Sequence, residues 1–94
     1  MKLEELKQIS NPNEVLKKAR EMYGKDIKIA VSSRKDKKYM IKNPNGKWIH
    51  FGSNMEDYTK HKDNKRLEAF RNRNKKWSSS DKYSPAYLSY WLLW

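Results

Sequence analysis

The tetrapeptide Asn43-Pro44-Asn45-Gly46, set between two short runs of alternating apolar and polar residues, constrains the fold of this chain more than any other feature. Proline suits the first central position of a type I turn, and Gly46 supplies the left-handed residue of a bulged hairpin. A strand is therefore expected from about Lys38 to Lys42, and its antiparallel partner from Lys47 to Gly52. The turn sets the register: Lys42 faces Trp48, Ile41 faces Ile49, Met40 faces His50 and Tyr39 faces Phe51. One face then carries Tyr39, Ile41, Ile49 and Phe51; the other carries Lys38, Met40, Lys42, Trp48 and His50. Upstream, Ile27, Ile29 and Val31 alternate with Lys28, Ala30 and Ser32, the pattern of a third half-buried strand.

Helical signals flank this sheet. Asn11, Pro12 and Glu14 stand where a cap, a first helical residue and a capping-box partner belong, and Gly24 stands at the stop, which predicts a helix from Pro12 to Tyr23. Its apolar stripe is Val15, Leu16, Ala19, Met22 and Tyr23. Leu3, Leu6 and Ile9, three apart, predict a short helical turn before it. After Asn54 a turn of helix is expected around Met55 to Tyr58. A second main helix, capped by Asp63, should run from about Asn64 to Lys76, with Leu67, Phe70 and Trp77 on its apolar stripe. Ser78 to Asp81 reads as a turn, and Ser84-Pro85 opens a last short helix rich in aromatics through Trp94. The expected class is α+β: a three-stranded antiparallel sheet packed with two main helices, closed by an aromatic C-terminal helix, in one domain over residues 1–94. Residues 1–10 are expected to be a loosely docked leading segment.

A core of this size draws on large side chains: only 36% of the 94 residues are hydrophobic, yet four are Trp, six Tyr and two Phe. With no cysteine there is no disulfide or thiolate metal site, so an oxidising compartment gains no support. No apolar run has the length of a signal peptide's core or of a membrane span, so the expectation is an unexported protein that makes no membrane contact.

Charge is what the chain has in excess, and it is localised. Residues 1–31 hold seven Lys/Arg against five Asp/Glu, residues 32–76 hold fourteen against five, and residues 77–94 hold one against one. A basic excess confined to one segment is what attraction to phosphates requires, since Lys and Arg neutralise them and release condensed counterions. The expected phosphate contacts are Arg34, Lys35, Lys37 and Lys38 on the loop between the first two strands, Lys42 on the hairpin, and Arg66, Arg71, Arg73, Lys75 and Lys76 on the second main helix. Trp48, flanked by Lys42, Lys47 and His50, is a candidate for stacking on an unpaired base; a helix covering that face would make it ordinary core.

Other chemistry finds little material. His50 and His61 fit no metal-ligand spacing, and a bond to a carboxylate such as Asp57, or a phosphate contact when protonated, is the expectation for His61. Ser78, Ser79 and Ser80 lack a nucleophile's surroundings. Asp36, Glu56, Asp57, Asp63 and Glu68 are too scattered to hold a nuclease's cations. The expectation is a non-enzymatic binder with no cofactor, metal or small-molecule substrate.

The tracts Gly46-Lys47-x-Ile49-His50-Phe51-Gly52, Asp57-Tyr58-Thr59-x-His61-x-Asp63, Arg71-Asn72-Arg73 and Ser84-Pro85 through Trp91-Leu92-Leu93-Trp94 together resemble a family of small basic proteins encoded by large nucleocytoplasmic DNA viruses, giant viruses among them. The resemblance spans roughly residues 33–94 and leaves the N-terminal helix outside. It implies a viral protein of the host cytoplasm, in the viral factory or the virion, where a large DNA genome must be neutralised; that family carries no settled activity. The expected function is sequence-independent binding and compaction of double-stranded DNA. Two alternatives remain open: a virion structural protein that forms homo-oligomers through its aromatic C-terminus, and a binder of RNA or single-stranded DNA.

Overall fold

The hairpin forms with the register its turn dictates. In the computed structural model, which describes residues 1–94, three strands, β1 (Ile29–Val31), β2 (Tyr39–Lys42) and β3 (Trp48–Phe51), make one antiparallel sheet in that order. Tyr39 pairs with Phe51, Met40 with His50, Ile41 with Ile49 and Lys42 with Trp48. Asn43 holds the turn from both sides: its carbonyl accepts from Gly46 N–H, and its side-chain oxygen accepts from the amides of Asn45 and Lys47. Gly46, at φ 81°, takes the left-handed conformation the bulge needs. Alternation then sorts the faces. Tyr39, Ile41 and Phe51 are buried, while Met40 and Trp48 lie outside the core cluster.

Helices α1 (Leu3–Ile9) and α2 (Pro12–Tyr23) lead the chain. Asn11 caps α2 by accepting from Glu14 N–H at 3.3 Å, but the expected return bond from Glu14 is absent. Asn11 gives its own N–H to Thr59 Oγ1 at 2.9 Å, and Glu14 turns to Lys62 Nζ at 2.7 Å. A tertiary contact has displaced a local one. Gly24 ends α2 at φ 98° and ψ 163°, a positive-φ conformation that glycine adopts without steric cost. Val15 and Ala19 are fully buried, whereas Met22, expected on the same stripe, is exposed.

Beyond the sheet, α3 spans Tyr58–His61 and α4 spans Asn64–Arg73. The first starts three residues later than expected because Asp57, which accepts from Thr59 N–H at 3.0 Å, is its cap. Asp63 caps α4 through Lys65 and Arg66 N–H, and the helix gives way after Arg73 to a 3-10 turn over Lys75–Ser79. Ser84 caps α5 (Pro85–Leu88), which runs on into a π-helical turn, Ser89–Leu93.

That last segment is the centre of the fold rather than its lid. Leu88, Leu92 and Leu93 are at most 1% exposed, with α5 packed on β3 and α2 packed on the π-helical turn. The i→i+5 bonding widens the turn, so that all three leucines reach the core. Both main helices join the sheet's core, α2 through Val15 and Ala19 and α4 through Leu67 and Phe70, and the Phe70 ring stacks on Trp94 at 4.3 Å between centroids. No helix is long and apolar enough to cross a membrane.

Candidate functional site

Lys38, expected to contact phosphate, is 1% exposed. The alternation that placed it outside holds only within β2, which begins one residue later. Its amide still donates to Phe51 O at 3.1 Å, while its side chain runs over Gly52 and sets Nζ 3.0 Å from Asp57 Oδ2. Burial lowers the lysine pKa, and Asp57 opposes the shift.

The other carboxylate oxygen of Asp57 accepts from Thr59 N–H and from the Thr59 hydroxyl. Thr59 Oγ1 lies 3.2 Å from Ser10 Oγ, and Ser10 Oγ lies 2.7 Å from the Tyr39 hydroxyl. Each hydroxyl has one hydrogen, and the carboxylate only accepts. The direction is therefore fixed: Tyr39 donates to Ser10, Ser10 to Thr59 and Thr59 to Asp57. Burial raises the Tyr39 pKa, which keeps its proton in place. This chain of bonds ties α1, β2 and α3 together and is structural. Its local signal, Asp57 two residues before Thr59 at a helix start, was readable in the sequence.

The cations that remain at the surface are numerous. Of the fourteen Lys/Arg in residues 32–76, three have a carboxylate within salt-bridge distance: Lys38, Lys62 with Glu14, and Arg66 with Glu56 at 3.7 Å. The structure gathers Lys37, Arg66 and Arg73 around one open groove of about 720 Å³, between the end of the hairpin, α4 and α5. Sequence reasoning missed this groove, because its walls come from segments far apart in the chain. Helical spacing puts Arg66, Ala69, Phe70 and Arg73 on the groove side of α4. Phe70, Trp77, Leu93 and Trp94 supply apolar surface, and no Asp or Glu lines it. Arg34 and Lys35 are exposed in the turn that leads to Lys37, which closes with Lys37 N–H on Arg34 O at 3.4 Å. Lys75 and Lys76 are exposed on the 3-10 turn that carries Trp77.

Three other expected contacts stand apart. Arg71 is turned inward: Nη2 donates to the main-chain oxygen of Trp94 at 2.9 Å, the guanidinium lies 5.5 Å from the Tyr90 ring centre, and Nε is buried without a partner. It is a docking residue for α4, a correction that its place in an arginine-rich run concealed. Lys42 lies at the far end of β2 from the groove, with its ammonium 5.5 Å from the Trp48 ring centre. Trp48 is half-buried on the outer sheet face, outside the core, with this cation over its ring.

The histidines are engaged locally. His61 Nδ1 accepts from Asp63 N–H at 2.9 Å, and its ring packs 5.2 Å from Trp94. Its partner is therefore a main-chain amide rather than the Asp57 carboxylate. His50 Nδ1 lies 2.7 Å from Ser32 Oγ. Burial first, then a nearby arginine, lowers both pKa values; the arginine is Arg66 for His61 and Arg34 for His50. No three His, Asp or Glu side chains come together as a metal site would need. The aromatic C-terminus, expected to be able to join two copies, is mostly spent within this molecule: Leu88, Leu92, Leu93 and Trp94 are buried, and Trp91 is its one large apolar residue in solvent.

A protein-family model described as a family of unknown function, DUF5754, matches residues 27–74, half of the chain. The chain belongs to DUF5754. The DUF5754 stretch contains all three strands, α3 and α4, and with them the Lys38–Asp57 pair and the basic side of the groove. The helices that complete the core, α1, α2 and α5, lie outside it. No curated protein and no solved structure matches the chain.

Proposed function

We propose that the protein binds nucleic acid, duplex DNA foremost, through backbone phosphates and without reading sequence, and that it catalyses no reaction. The observation that carries this reading is the set of ten Lys/Arg in residues 32–76 that remain after the three with a carboxylate partner and the inward-turned Arg71 are set aside. A cation already paired must give up its partner to meet a phosphate, whereas an unpaired one gives up only water and counterions. Arg34, Lys35, Lys37, Arg73, Lys75 and Lys76 are the contacts favoured, with Arg66 added because an exposed pair at 3.7 Å is weak. The exposed side of α4 is mostly charged, Lys65, Arg66, Glu68 and Arg73 among its residues, which suits contact with the backbone of a duplex. The resemblance to proteins of large DNA viruses supports a role in neutralising a genome in the viral factory or virion.

Fluorescence anisotropy on labelled duplex DNA, single-stranded DNA and RNA of equal length, titrated with salt, tests the reading. Binding to duplex should be indifferent to sequence, and log K should fall against log salt with a slope of about −0.9 per phosphate neutralised. Arg34→Glu with Arg73→Glu should abolish retention while leaving the fold intact, because both side chains are exposed. Absence of binding even at low salt would overturn the proposal and point to an acidic protein partner.

A further inference from the structure

The groove differs from the rest of the basic surface, because it combines cations with apolar aromatic surface. Lys37, Arg66 and Arg73 line it; Lys38 also reaches it, but its charge is met by Asp57, and no acid contributes. Trp77 is half-buried, and the ring contact it makes is an edge-on one with Phe70 at 5.8 Å, which leaves indole surface to the groove. Met55, another lining residue, is 56% exposed, an unusual setting for so apolar a side chain. Gly52 forms part of the wall and brings main chain close. A volume of about 720 Å³ falls within the range of small-ligand sites.

A duplex presents phosphates but keeps its bases stacked inside, so it can satisfy the rim of such a groove and not its interior. An acidic peptide satisfies the cations and offers a flat apolar ring only where it happens to carry an aromatic residue. An unpaired nucleotide offers both at a fixed short distance, an anionic phosphate and a planar base. On the outer sheet face, by contrast, the available ring, Trp48, already has Lys42 over it.

We infer that this groove takes an unpaired nucleotide of a bound strand, its base lying against Trp77 and Met55 and its phosphate held by Lys37, Arg66 and Arg73. The inference rests on the nucleic-acid reading and adds a preference to it: ends, overhangs and gaps over continuous duplex. The three cations hold the phosphate whatever the base, so the preference is for unpaired structure and not for sequence.

The test compares a blunt duplex with the same duplex bearing a short single-stranded overhang, by anisotropy at fixed salt. Wild type should bind the overhang duplex about tenfold tighter, the scale of one base–aromatic stack. Ala69→Trp fills the groove from an exposed helical position, so it should abolish that gain and leave blunt-duplex affinity within about twofold, a step small beside the stacking effect. Arg73→Ala, a second exposed change, should weaken both substrates and the overhang more. Equal affinity for the two duplexes in wild type would overturn the inference and leave the general reading standing. So would retention of the gain in Ala69→Trp, which would place the stacking elsewhere. Failure to bind either duplex would sink the general reading. The groove would then be probed alone by quenching of tryptophan fluorescence with adenosine monophosphate against inorganic phosphate. Quenching by the nucleotide only, lost in Ala69→Trp, supports the site, and displacement by a peptide of Glu and Phe as readily as by the nucleotide overturns it.

Discussion

Lysine 38 and lysine 37 are neighbours with opposite fates, and the difference lies in where β2 begins. Lys37 lines the groove with its charge unpaired; Lys38 is buried against Asp57 at 3.0 Å. Removing one member of a buried ion pair leaves the other charged and desolvated, so Lys38→Met should lower unfolding free energy in urea by about 3–5 kcal/mol. The folded variant should nevertheless bind DNA as wild type does. Arg73→Ala should show the reverse, unchanged stability with weaker binding, and a Lys38 variant that is stable but fails to bind would return that residue to the interface. The histidines make a second residue-scale prediction. An imidazole whose pKa is lower in the fold than in the unfolded chain takes up its proton less readily when folded. The stability it contributes is then complete above the ordinary value of 6.5 and is lost as pH falls below it towards the folded value. Thermal midpoints should therefore be flat above about pH 7 and decline between about pH 6.5 and 5, before the carboxylates titrate. The decline should be smaller in the double variant His50→Gln, His61→Gln, and an identical profile in that variant would assign the acid sensitivity to other groups.

At the scale of elements, local chemistry was legible and assembly only in part. The hairpin register followed from four residues because the turn and the alternation are both short-range, and Asn11, Pro12, Asp63 and Ser84 marked helix starts that the structure retains. That the last segment belongs to the core was legible from its all-round apolar residues, but the π-helical course of Ser89–Leu93 was not, because apolarity alone does not set the helix type. The groove was illegible because its walls come from segments far apart in the chain, although three of its cations had been picked out singly. Gly52 is where these elements press hardest on one another. It sits at φ 86°, and a Cβ there would meet Leu93 Cδ1 at 2.9 Å and Lys38 Cβ and Cδ at 3.1 Å. Gly52→Ala combines an unfavourable backbone conformation with a collision between β3 and the C-terminal segment, so it should destabilise by about 2 kcal/mol or more. Gly46→Ala also stands at positive φ but has open space around its Cβ, and should be milder. Equal losses in the two variants, measured by chemical denaturation, would show that the packing at Gly52 relaxes freely.

The whole molecule sets the footprint that the proposed binding can have. Its longest extent is 36 Å, and duplex DNA advances about 3.4 Å per base pair, so one copy laid along the axis covers about ten base pairs. The unpaired cations do not all lie on one side: Lys42 is at the far end of β2 from the groove that Lys37 lines. A single duplex should therefore engage a subset, the group comprising Arg34, Lys35, Lys37, Arg73, Lys75 and Lys76, and six phosphates neutralised would give a salt slope of about −5. Stoichiometric titration of a long duplex at low salt should saturate near one protein per ten base pairs, with that slope on raising the salt. A slope of about −7 with the same footprint would mean that DNA wraps onto the outer sheet face and recruits Lys42 and Lys47. A footprint twice as long at the expected slope would mean that two copies bind as one unit, which would give exposed Trp91 a partner; Trp91→Ser should then restore the single-copy footprint.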